Sequence, residues 1–88
     1  MEMGTYKYVV VDDPEYRVML KHVNMGMFHN EMARGHGRVL CAGYVQIGEG
    51  GVWRIDNPNS ASLGIWGDAD ADAIDLATIL GEDLRKED

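Results

Sequence analysis

The rhythm of hydrophobic and polar positions changes along the chain, and each change marks an element. Tyr6 to Val11 (YKYVVV) is β-branched and aromatic and stops at Asp12-Asp13-Pro14, which predicts a strand followed by a turn. Tyr16 to Val23 alternates in part, with Val18, Leu20 and His22 on one side and Arg17, Met19 and Lys21 on the other. That pattern predicts a half-buried strand hairpinned to the first. Met27, Phe28, Glu31 and Met32 fit a short helix of about two turns, with Asn24 as its cap and Gly35 as its stop.

The densest strand signals run from Val39 to Trp66. Val39 to Ile47 is apolar at both parities, as in an interior strand covered on both faces, and Gly43 within it predicts a bulge or a close backbone approach. The run GEGG (48–51) supplies a hairpin turn into Val52–Asp56, the cluster Asp56-Asn57-Pro58-Asn59-Ser60 a second turn, and Leu63–Trp66 a third strand. From Asp70 to Leu84 the period becomes helical. Ala73, Leu76, Ala77, Leu80 and Leu84 form an apolar stripe widened by Ile79, and the small alanines suit close docking on a sheet. Asp68 or Asp70 can cap this helix, Asp72 suits its positive end, and the tail, 85–88, is expected to fray. The fold class that follows is α+β: one domain over 1–88, a mixed or antiparallel sheet of about five strands, a short helix after the second strand and a C-terminal helix packed on the sheet.

Composition narrows the function classes. The chain has 88 residues, 45% hydrophobic and 26% charged, values that a folded domain shows and a disordered one does not. Its net charge of −7 opposes direct binding to nucleic acid, which needs a basic face, and suits a basic protein as partner or a nucleic-acid-binding protein to be inhibited. Cys41 is the only cysteine, so no disulfide framework forms within one chain, and inside an apolar strand it reads as a core residue. The N-terminus is too short and too poor in basic residues for a signal peptide, and no run approaches a membrane span, so a cytoplasmic location is expected. An open edge strand can pair with a second copy, which leaves homo-oligomers open.

Candidate chemistry is sparse. His22, His29 and His36 lie seven residues apart but are separated by glycines, and no metal-binding spacing joins them. Asp68, Asp70 and Asp72 imitate the start of a calcium loop that fails at Ala73 and Ile79, so no metal or other cofactor is expected. His29 follows Phe28 at a helix start, where free amides attract anions and an imidazole can act as base or nucleophile. Lys7, in an otherwise apolar strand, is the matching cation.

These residues also carry a resemblance. Tyr6-Lys7-Tyr8-Val9-Val10-Val11, the aromatic–histidine pair Phe28-His29, Gly50-Gly51 before Val52-Trp53-Arg54-Ile55, and Ile65-Trp66-Gly67 before the last helix follow the order of the Janus/Ocnus family, whose fold is phosphohistidine phosphatase-like. The resemblance implies a catalytic role for His29 and phosphate or anion binding by Lys7, Gly50 and Gly51, with a phosphorylated small molecule or protein as ligand. The family's tyrosine–serine after that strand is replaced by Asp68-Ala69, and its second histidine by the Asp/Ala-rich run near Ala73, which implies activity lost or changed. The run from His29 through Met32, Ala42-Gly43 and Ile55-Asp56-Asn57 also resembles a small domain found in larger proteins of unclear role. The alternative to a phosphatase-like domain is a non-enzymatic acidic interaction module, its partner surface formed by Asp68, Asp70, Asp72 and Asp75.

Overall fold

The computed structural model describes residues 3–12, 18–49 and 53–87. In chain order the elements are β1 (Gly4–Val11), β2 (Val18–His22), a 3-10 turn (Val23–Met25), α1 (His29–Ala33), β3 (Val39–Ile47), β4 (Trp53–Asn57), β5 (Asn59–Ser60), β6 (Ile65–Trp66) and α2 (Ala69–Glu87). Strands and helices are combined as the α+β reading expects. No helix among the described residues is long and apolar enough to cross a membrane.

Four strands form one antiparallel sheet in the order β2-β1-β3-β4. The apolar first strand lies inside the sheet, paired with β2 on one side and β3 on the other. Because β1 is apolar at both parities, it feeds two cores. Tyr6, Tyr8 and Val10 join Cys41, Val45, Ile47 and the α2 residue Leu76 on one face. Val9 and Val11 join Ala42 and the α1 residues Met32 and Ala33 on the other, with Leu63 and Ile65 packed against them. Each side chain as completely buried as Tyr8 or Leu76 contributes about 1.5–3 kcal/mol of transfer free energy.

Several local expectations are corrected. The strand at 63–66 does not extend the meander: Ile65–Trp66 pairs with Asn59–Ser60 in a separate two-stranded sheet. The reason lies at Pro58, which donates no backbone hydrogen bond and turns the chain out of the main sheet, so the expected turn cluster becomes a bend between two strands. Asn57 Oδ1 accepts from the Asn59 amide, and the Gly67 amide donates to the Pro58 carbonyl and to Asn59 Oδ1, which fixes the bend. Asn24 lies in the 3-10 turn and does not cap α1, whose capping position is Phe28. On α2, Leu76 is buried and Ile79 half-buried as the stripe predicts, but Ala73 and Ala77 are exposed and Asp72 is buried with Leu76 and Ile79. Those positions are spaced i, i+4 and i+7, the helical stripe displaced by one residue from the one the alanines suggested. The Gly48–Gly51 turn lies only partly within the described residues, and Leu80 and Leu84 carry no described side-chain burial.

Gly43 behaves as its place in β3 predicts. A Cβ there would stand 2.1 Å from the Asn57 carbonyl oxygen and 2.9 Å from the Tyr8 hydroxyl, because β4 leaves the sheet across this point. The β3–β4 register also shifts between Tyr44 and Val45, next to that crossing.

Candidate functional site

Gly43 is approached from both faces of the sheet, by His29 on one and by the Tyr8 hydroxyl on the other, and a titratable cluster lies on each. On the α1 face, β1 presents Lys7 and the start of α1 presents His29. The His29 ring is 3% exposed, and its Nε2 lies 2.7 Å from the Gly43 carbonyl oxygen. A carbonyl can only accept, so Nε2–H is the donor and the neutral tautomer is set. Tyr44 meets the same ring edge-on, with centroids 5.1 Å apart. Burial pushes the His29 pKa below the usual histidine value, the Lys7 ammonium pushes it the same way, and the bond to Gly43 opposes them. His29 is therefore a neutral, enclosed side chain at neutral pH.

Lys7 lies on the same face, and its ammonium is engaged. Nζ donates to the Met27 carbonyl at 2.7 Å and lies 5.4 Å from the centre of the Phe28 ring. The helix start also differs from the open anion site expected there. The Phe28 amide donates to Glu31 Oε1 at 3.1 Å, half of a capping box, and the Asn30 amide donates to Ser62 Oγ at 3.2 Å. Lys7 and His29 do share a face, but intramolecular partners occupy both of them and the Asn30 amide of the helix start. Those partners, Met27, Gly43 and Ser62, act through backbone or from a distant turn, and no sequence spacing marks them. Gly50 and Gly51, the other anion-binding candidates, lie outside the described residues.

On the α2 face the cluster is Tyr8, Cys41 and Asp72. Asp72 is 4% exposed, which corrects its expected place on an acidic partner surface. The Tyr8 hydroxyl donates to Asp72 Oδ2, and the Cys41 thiol donates to the same carboxylate. Burial raises the Asp72 pKa above the usual carboxylate range, Asp75 and Asp68 add to the rise, and the two hydrogen bonds oppose it. Burial raises the Cys41 pKa to about 12, and Asp72 reinforces the rise, so the group remains a thiol and not a nucleophilic thiolate. Tyr8 is likewise held protonated, first by burial and then by its bond to Asp72. A sequence signal for this cluster existed: Asp72 stands one helical turn before Leu76, on the core face.

The remaining acidic candidates face solvent at the start of α2. Asp68 caps the helix, its Oδ1 accepting from the amides of Asp70 at 2.9 Å and Ala71 at 3.1 Å. Asp70 and Asp75 are exposed, and so is Trp66, at 73% of its surface, two residues before the cap. Among the described residues, no three His, Cys, Asp or Glu side chains converge as a metal site would require. Compared with known proteins, the chain matches no family model, no curated protein and no solved structure.

Proposed function

We propose that this domain is a non-enzymatic acidic interaction module acting in the cytoplasm, with a basic protein as its partner. The observation that carries the reading is Trp66, a large aromatic residue 73% exposed beside the exposed carboxylates Asp68 and Asp70. Tryptophan is the side chain most suited to anchoring an interface, and its ring face attracts lysine and arginine. Carboxylates around it add long-range attraction for the same partner, consistent with the net charge of −7. The engagement of His29 and Lys7 by Gly43 and Met27 weighs against chemistry at the α1 face.

The test is a fluorescence titration with an arginine-rich peptide at low and at high salt. Binding at micromolar peptide that weakens as salt rises, and a signal that disappears in Trp66→Phe while Trp53 remains, are the expected results. A signal that stays flat to millimolar peptide overturns the reading.

A second reading is favoured by one observation: Lys7 and His29 stand on the same face of the domain, with Lys7 held to the carbonyl of Met27, two residues before His29. On that reading the domain is phosphohistidine phosphatase-like, binding phosphate once Lys7 leaves the Met27 carbonyl, with activity lost or retained. Release of phosphate from a phosphoramidate by the wild type, absent in His29→Ala, would establish it. Phosphate at millimolar concentration that leaves the His29 ring signals unmoved would end it.

A further inference from the structure

β4 is the last strand of the sheet, and among the described residues nothing pairs with its outer edge. Such an edge offers unpaired amides and carbonyls to any extended chain that reaches it. Here the edge is bordered by an apolar groove. Ile55 on β4 and Ala73, Ile74, Leu76 and Ala77 on α2 line a cavity of about 280 Å³. Leu76 closes its inner end in the core, whereas Ala73 and Ala77 are exposed and Ile74 is exposed at 67%. The alanines that the helical stripe assigned to docking on the sheet therefore leave room beside it.

We propose that the β4 edge and this groove form a docking site for an extended basic segment of a partner protein, which adds a fifth strand to the sheet. This rests on the interaction-module reading above and names the form that the partner takes. A strand added to β4 would lie about 4.8 Å beyond it, with alternate side chains pointing to the α2 side. Those side chains need to be apolar and of moderate size to fill the space between Ile55 and the alanines. The charge of the segment follows from the wall of the groove. Asp70, Ala73, Ile74 and Ala77 are spaced i, i+3, i+4 and i+7 and share one face of α2, so an exposed carboxylate heads the apolar strip. Asp68, the exposed cap of α2, adds a second carboxylate at the same end of the helix. Apolar residues at the alternate positions that point to the α2 side, with a lysine or arginine at the end of that same set to meet Asp70, satisfy both requirements.

An eight-residue peptide with lysine, valine, valine and lysine at its odd positions and threonine at its even ones is the probe, titrated into the isotopically labelled chain. The expected result is a shift of the β4 amides Trp53–Asn57 and of Ala73–Ala77, with slowed hydrogen exchange along β4. Ala77→Glu, at an exposed position, is expected to weaken binding at least tenfold. The same peptide N-methylated at the edge-facing residues is expected to lose binding, because it cannot pair with the strand. Shifts confined to Trp66, Asp68 and Asp70, with β4 unmoved, would overturn the docking site and leave the module reading standing. Equal binding by the N-methylated peptide would overturn strand addition, and an absence of shifts at millimolar peptide would overturn the site altogether.

Discussion

The Tyr8 hydroxyl donates to the carboxylate of Asp72 across 64 residues of sequence, joining the interior of the sheet to the first turn of α2. With Cys41 donating to the same carboxylate, a buried acid is satisfied by two neutral donors. Leu76 supplies the apolar contact one turn further on, and together these groups seat the helix.

Removing either end of this bond should destabilise the fold. Asp72→Ala leaves the Tyr8 and Cys41 donors buried without an acceptor, and Tyr8→Phe leaves the carboxylate short of its donor. Each is expected to cost about 1–3 kcal/mol in urea unfolding. The double variant should cost less than the sum, and strict additivity would show that the two groups do not interact.

Two buried groups give stability opposite dependences on pH. The folded pKa of Asp72 is raised above its ordinary 3.8, so ionised Asp72 opposes folding at neutral pH, and stability is regained as pH falls through the folded value toward 3.8. The folded pKa of His29 is lowered below 6.5, so its unfolded form takes up a proton first, and stability is lost as pH falls from 6.5 toward the folded value. Stability curves of Asp72→Asn and His29→Gln set against the wild type should separate these trends. A wild-type minus Asp72→Asn difference that stays flat from pH 7 to 4 would contradict the first.

Cys41 should resist alkylation in the native protein. Its pKa, raised to about 12 from an ordinary 9.0, leaves almost no thiolate at pH 8, and burial bars the reagent. Labelling by iodoacetamide should proceed only at the rate set by opening of the domain and accelerate with urea. Rapid labelling under native conditions would show that α2 does not cover the strand.

Glycine substitutions should divide by cause. Gly43→Ala places a methyl 2.1 Å from the Asn57 carbonyl oxygen, and the backbone there must separate, with an expected loss of about 3 kcal/mol or more. At Gly26, φ is +67° and the space around it is open, so Gly26→Ala meets only the left-handed backbone penalty of about 1–2 kcal/mol. Thermal melts of the two variants check the order, and equal losses would remove the close-approach account of Gly43.

The signals carried by near neighbours in the sequence survived into the structure. The run at 6–11 is a strand, and Val39–Ile47, apolar at both parities, is an interior strand with residues in both cores. Gly43 is a close-approach glycine, and Asp68 is a helix cap. Each depends on interactions within a few residues or on a side chain's absence, so the local sequence determined it. Other features depend on contacts between distant segments, and only the tertiary structure decided them. Pro58 sent Ile65–Trp66 into a second sheet, and packing under Leu76 turned Asp72 inward while leaving Ala73 and Ala77 outside. Lys7 and His29 were found in the sequence as a cation and an imidazole, but their partners are the carbonyls of Met27 and Gly43. A backbone carbonyl is present at every position, so no residue type announces which one a side chain will reach. The acidic character was likewise written in the composition, whereas the fold decided that Asp68 and Asp70 stand beside an exposed Trp66 and that Asp72 does not.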